Sequence, residues 1–198
     1  MIDVAASLGL IVLACPIWVL TALAVKLTSP GPLLFVQVRG GRGGRPFSSY
    51  KFRSMRADHV HDPHEMVIPL SHPSVTTVGK IIRRVKIDES PQLINVLKGD
   101  MSIIGPRPTI MEQVNAYNDF QRRRLEVRPG ITGLAQVNGN AAVPWDERIK
   151  YDVWYINNIS FLLDLRILFK TIAVLLWGES RFARPFAKSP YAKCGATE

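Results

Sequence analysis

The sequence predicts an α+β fold, mainly α, attached to a membrane, and three features predict it. Val4–Val25 runs for 22 residues without a charge, long enough to cross a hydrocarbon core as a helix. Two runs rich in aromatic and β-branched residues, Leu33–Arg39 and Phe47–Met55, flank a glycine-rich stretch, which predicts a small β-hairpin. Most of the chain beyond Ser74 has apolar residues at helical spacing.

The membrane segment comes first. Its N-terminal flank carries Asp3 and no Lys or Arg, unlike a secretory signal. Pro16 sits near its middle and removes one backbone bond, so the helix can bend there. From sequence alone a spanning helix is favoured, because membrane helices tolerate such kinks. Ser29-Pro30-Gly31-Pro32 ends the segment with turn residues. From Lys26 to Ala57 there are seven Lys/Arg and no acid. That excess places this side in the cytoplasm.

The 198 residues make one modest domain with a net charge of +9. Basic residues beside an apolar run suit anionic lipid and phosphate. No nucleic-acid motif with base-reading spacing is present. Two cysteines, Cys15 and Cys194, form neither a disulfide framework nor a zinc motif.

Gly40–Pro46 lacks P-loop and dinucleotide-binding spacing, so it reads as a flexible turn rather than a phosphate cradle. All four histidines, His59, His61, His64 and His72, fall in Ala57–Pro73 with Asp58, Asp62 and Glu65. This stretch is polar, holds three prolines and lacks a helix-spaced zinc motif. A solvated loop is expected there. Ser74 is a candidate cap for a helix over Val75–Arg84.

The densest chemistry lies between Arg83 and Pro108. Asp88 and Glu89 are adjacent, just ahead of Pro91, which a helix accepts in its first turn. Leu93, Val96 and Leu97 recur at helical spacing, and Gly99 is a helix stop. Both carboxylates should therefore sit at a helix N-terminus. Arg83, Arg84 and Lys86 precede them, and Arg107 follows on a proline-rich loop. The plain reading is a capping aspartate with a solvated basic flank. The functional one is a phosphate site, where cations and a metal screen the repulsion between anions.

Further helices are expected over Thr109–Leu125, Trp145–Asn157 and Phe161–Trp177. Arg122-Arg123-Arg124 reads as a solvated or lipid-facing patch rather than as catalytic groups, and Asp152 as a helix-surface carboxylate in preference to a distant support for the site. Phe161–Trp177 reads as an amphipathic helix on the membrane or as a core helix. The basic tail beyond Gly178 reads as loosely ordered.

Taken as one pattern, the run Arg83, Asp88-Glu89, Pro91-Gln92-Leu93, Asn95-Val96-Leu97, Gly99-Asp100-Met101-Ser102 and Gly105-Pro106-Arg107-Pro108 resembles the bacterial sugar transferases, the monotopic phosphoglycosyl transferases. Tyr50–Met55 and Val127–Gly139 are similar to two further family elements. Two positions depart from the pattern. Ser90 stands where the family usually has Leu, tolerable if the side chain faces solvent, and Asn140 stands where Arg is common.

The resemblance implies a monotopic protein with an N-terminal re-entrant helix (residues 1–28) turning back at Cys15-Pro16. A catalytic domain at the cytosolic face (29–180), interfacial amphipathic helices and a basic tail (181–198) would complete it. Family members usually carry Lys or Arg just before the position of Asp3; here either the N-terminus is shortened or the downstream basic segment sets the orientation. The implied reaction moves a phospho-sugar from a UDP-sugar to polyprenyl (undecaprenyl) phosphate, releasing UMP, at the cytoplasmic face of the bacterial inner membrane. Asp88 would be the nucleophile and Glu89 its partner, both holding Mg²⁺. Arg83, Pro106, Arg107 and Asn140 would contact substrate. Membrane lipid is a further partner, nucleic acid is not, and a homo-oligomer stays open. The competing reading is a catalytically inactive membrane-anchored binding or scaffold module.

Overall fold

The computed structural model describes residues 2–59 and 68–192, so the expectations for His61, His64 and Cys194 lie outside the described residues. The chain divides into two compact units, Met1–Gln37 with Ser48–Lys98, and Val38–Phe47 with Gly99–Glu198.

The first unit is built on α1 (Ile2–Thr28), a helix of 27 residues with Pro16 inside it. At 1.5 Å per residue it is about 40 Å long, more than a hydrocarbon core needs. Leu8, Val12, Leu13, Leu20 and Leu23 are exposed, the surface a lipid-facing helix presents. Its exit is tied down by Arg53, only 6% exposed, which donates to the carbonyls of Ser29 and Pro30 at 2.6 Å each. Gly31 follows at φ +116°, and a Cβ there would strike the Arg53 guanidinium. Val25, Phe52 and Ile82 form the small core of this unit, with Trp18, Leu33 and Ile87 packed on it.

β1 (Leu34–Gly40) and β2 (Pro46–Phe52) form the expected hairpin. A 3-10 turn at Arg42–Gly44 joins them, with Gly43 and Gly44 at positive φ. The fully buried Asn95 holds β2 by its edge: its amide donates to the Ser48 carbonyl at 2.7 Å and accepts from the Tyr50 N–H at 3.1 Å. α2 (Thr77–Arg84) starts later than expected, because Thr76 rather than Ser74 caps it, accepting from the Gly79 N–H. α3 (Gln92–Lys98) ends at Gly99, φ +82°.

The second unit contains a pair not expected from sequence. β3 (Ser102–Ile104) runs parallel to β4 (Gly130–Thr132), with Ser102 opposite Gly130 and Ile104 opposite Thr132. Gly105 and Gly130 allow this: a Cβ on either would meet the other's backbone. Three-residue strands carry too few side chains for a legible alternation.

Thr109–Leu125 is not one helix. It breaks into α4 (Met111–Asn115), α5 (Asp119–Arg122) and a 3-10 turn at Arg123–Leu125. Asn118 causes the break: its side chain caps α5 by accepting from Gln121 N–H, and Gln121 returns the bond in a capping box. α6 (Trp145–Asn157) and α7 (Phe161–Trp177) match their expected bounds. They close the main core of this unit around Leu134, Val137, Tyr151, Tyr155 and Ile167. The tail is better held than expected through Tyr191: Phe182, Phe186 and Tyr191 pack on that core, and Tyr151 donates to the Arg184 carbonyl at 2.9 Å.

Candidate functional site

Asp88 and Glu89 sit in a 3-10 turn, Ile87–Glu89, immediately ahead of α3. The turn is entered through Lys86, which adopts left-handed φ/ψ of 59°/17°. A lysine there costs about 1–2 kcal/mol relative to the right-handed region, and such costs persist where surrounding structure over-determines the geometry.

The two carboxylates have different surroundings. Asp88 is 8% exposed, and its Oδ1 is buried with no hydrogen-bond partner among the described residues. Glu89 accepts from Lys51 Nζ at 2.6 Å, both side chains being largely shielded. Burial pushes the Asp88 carboxyl above the usual carboxylate range, and the charge of Glu89 adds to this; Lys51, Arg83 and Lys86 pull it back. A buried acid with a raised pKa, ringed by cations, is the pattern of a reactive group rather than of a solvated cap.

Arg83 is anchored at the end of α2, its Nε donating to Ser54 Oγ at 2.8 Å and its Nη1 to the Ile68 carbonyl at 3.4 Å. It is thus a fixed cation facing the field of Asp88. Lys51 was legible only as part of the Tyr50–Met55 element; its bond to Glu89 spans 38 residues of sequence, which no local pattern reveals.

The other predicted residues, Pro106, Arg107 and Asn140, belong to the second unit. Pro106 is buried and Arg107 half-buried. They line a pocket with Gly40, Gly41, Thr109 and Tyr117. A buried network fixes this loop. Arg124 donates through Nε to Asp152 Oδ2 at 2.8 Å, through Nη1 to the Tyr117 hydroxyl at 2.6 Å, and through Nη2 to the Arg107 carbonyl at 3.0 Å. Thr109 and Tyr117 share a hydroxyl contact of 2.5 Å. Two expectations therefore fail. Arg124, 5% exposed, is no surface patch, and Asp152, 2% exposed, is no surface carboxylate. Each is buried because the other neutralises it. Burial pushes the Asp152 carboxyl up, and Arg124 draws it down.

Asn140 is half-buried at φ +43°, and its amide donates to Glu179 Oε2 at 3.1 Å. Asparagine accepts this left-handed geometry more readily than arginine does.

Among the described residues no group of three or more His, Cys, Asp or Glu could hold a metal. His59 and His72 stack edge to face at 5.2 Å. The Asp88-Glu89 pair still fits a hard cation such as Mg²⁺, which commonly takes one or two carboxylates and fills its remaining positions with water and phosphate oxygens. The unpartnered buried Oδ1 of Asp88 is an available donor.

The long apolar helix α1 is compatible with membrane association. The bacterial sugar transferase family model matches residues 1–178, and the chain belongs to that family of enzymes. It is 44% identical over 177 residues to EpsL of Bacillus subtilis, described as an uncharacterized sugar transferase, covering 89% of this chain and 86% of that protein. It is 47% identical over 182 residues to a UDP-N-acetylgalactosamine-undecaprenyl-phosphate N-acetylgalactosaminephosphotransferase of Aeromonas hydrophila, covering 89% of this chain and 43% of that protein. It is 40% identical over 193 residues to a UDP-glucose:undecaprenyl-phosphate glucose-1-phosphate transferase of Caulobacter vibrioides, covering 91% of this chain and 70% of that protein.

Proposed function

We propose that the chain transfers a phospho-sugar from a UDP-sugar to a polyprenyl phosphate at the cytoplasmic face of the inner membrane, an opening step of membrane-bound glycan assembly. The observation that carries this reading is the buried Asp88 carboxylate with its unpartnered Oδ1, held beside Glu89 among Lys51, Arg83 and Lys86. The relatives' names support the substrate classes.

An Asp88 oxygen attacks the sugar-bearing phosphorus of the donor. The bond from that phosphorus to the UMP oxygen breaks, and UMP departs with the electron pair. The aspartyl phospho-sugar is then attacked by an oxygen of the polyprenyl phosphate. Asp88 is released and a polyprenyl diphosphate sugar remains. A carboxylate is a weak nucleophile, so position and charge screening must do most of the work. Arg83 and Arg107 hold phosphate oxygens, which guanidinium matches two at a time, while Pro106 shapes the loop and Asn140 replaces a cation with a neutral donor. Asp88 and Glu89 would hold Mg²⁺, which when bound neutralises the diphosphate and eases UMP departure.

The α1 helix would enter and leave the bilayer by one face, bending at Pro16, whose missing N–H leaves the Val12 carbonyl without its helical donor. An N-terminal tag reached from the same side as Lys26 in right-side-out and inverted vesicles supports this; a tag reached only from the opposite side means the helix spans.

The reaction is tested by UMP release in nanodiscs with Mg²⁺, undecaprenyl phosphate and a panel of UDP-sugars, beside Asp88→Asn. Release that needs the lipid and vanishes in the variant supports the assignment. Equal release from the variant removes Asp88 from the chemistry.

A further inference from the structure

Ser90 does not face solvent. It is half-buried, and its hydroxyl is used in both directions: Oγ accepts from the indole Nε1 of Trp18 at 2.8 Å and donates to the Ile87 carbonyl at 2.7 Å. The Ser90 N–H also donates to that carbonyl, at 3.1 Å. Ile87 is the residue immediately before Asp88, so these bonds close the turn that carries the carboxylate.

Trp18 is itself fixed. It lies on α1 two residues past Pro16, meets Phe52 edge to face at 6.1 Å and 81°, and packs on the Val25–Phe52–Ile82 core. A tryptophan N–H out of water needs an acceptor, or its desolvation is uncompensated. An apolar side chain such as leucine at position 90 would offer none. Serine at 90 and tryptophan at 18 therefore make sense as a pair, and neither explains itself alone.

We infer that Trp18 and Ser90 are positioning residues for Asp88: the indole–hydroxyl–carbonyl relay ties the membrane helix to the Ile87–Glu89 turn and sets the aim of the carboxylate. The relay passes through the segment of α1 after Pro16, so the seating of that segment in the bilayer is transmitted to the turn. This rests on the reading of Asp88 as nucleophile, but the coupling is a property of the turn and is measurable without turnover.

The test uses the full chain in nanodiscs with Trp18→Phe, Ser90→Ala, their double variant and Ser90→Thr. Amide hydrogen exchange is followed over the turn and over α1 and α3, and kcat and KM are measured for the donor. Loss of one such bond is expected to speed exchange at Glu89 and Ser90 and lower kcat about five- to tenfold, with KM unchanged. The double variant should be no worse than the poorer single one, and Ser90→Thr, which keeps the hydroxyl, should retain wild-type values. Unchanged exchange and kcat in Trp18→Phe overturn the inference. So does exchange that rises equally throughout α1 and α3, which marks general loosening, or additive losses in the double variant. If the wild type shows no turnover with any donor, the enzymatic reading fails, and exchange at the turn alone decides whether the coupling exists.

Discussion

Arg124 and Asp152 form a buried ion pair, Nε donating to Oδ2 at 2.8 Å with side chains 4% and 3% exposed. The same guanidinium reaches the Arg107 carbonyl and the Tyr117 hydroxyl, so one side chain both neutralises a carboxylate and holds the Gly105–Pro108 loop. Removing one partner strands the other charge. Asp152→Asn should cost about 3–5 kcal/mol of stability, read by urea unfolding in detergent. Arg124→Met with Asp152→Leu should recover most of that cost and yet leave UMP release low, because the Arg107 carbonyl has lost its donor.

Asp88 makes the protein's stability depend on pH. Burial raises its folded pKa above the unfolded value, so the folded state binds this proton more tightly than the unfolded one does. Stability from this group is full below the unfolded pKa and is lost as pH rises through the folded pKa. Asp88→Asn removes the loss. The variant should melt higher than wild type at neutral pH, with the difference shrinking toward the ordinary carboxylate range. A variant that melts lower than wild type at neutral pH, by a margin that shrinks toward acid, would show that ionised Asp88 is stabilising.

Asn140→Arg tests the departure from the family pattern. The backbone at 140 is left-handed at φ +43°, so arginine should cost about 1–2 kcal/mol of stability. The regained cation should lower the KM for the donor with kcat little changed. A KM that stays constant across the UDP-sugar panel would mean this position does not meet the donor.

α7 presents Phe161, Leu162, Phe169, Ile172, Leu176 and Trp177 to the outside while Leu163, Ile167 and Val174 are buried. That two-sided apolarity suits a helix lying in the headgroup region. A nitroxide at Phe169→Cys, in a background lacking the native cysteines, should be relaxed more by oxygen than by a water-soluble nickel complex in nanodiscs. The reverse ranking would place α7 in water.

The sequence was most legible where one physical signal ran long. The charge-free stretch became α1, and the apolar spacing of Trp145–Asn157 and Phe161–Trp177 gave helices with those bounds. It misled where tertiary partners decide. Asn118 could have continued a helix but caps a new one. Arg124 and Asp152 look like surface charges until the fold brings them together across 28 residues. The β3–β4 pair depends on two glycines meeting, not on alternation. Among the candidate residues, Arg83, Asp88 and Glu89 were singled out by the resemblance carried by the whole Arg83–Pro108 run, since their spacing alone reads equally as a capped helix start. Lys51, Trp18 and Ser90 were hidden because the contacts that tie them to the turn are tertiary.

If Asp88 becomes covalently linked to the phospho-sugar, the linkage can be trapped. The protein would be incubated with donor and Mg²⁺ without lipid acceptor, quenched with borohydride, which reduces an acyl phosphate to an alcohol, and digested for mass spectrometry. Homoserine is expected at position 88 only when donor is present, and none after the acceptor lipid has been added to completion. Lipid-dependent UMP release with aspartate intact at 88 throughout would contradict the covalent route and point to direct transfer between donor and acceptor.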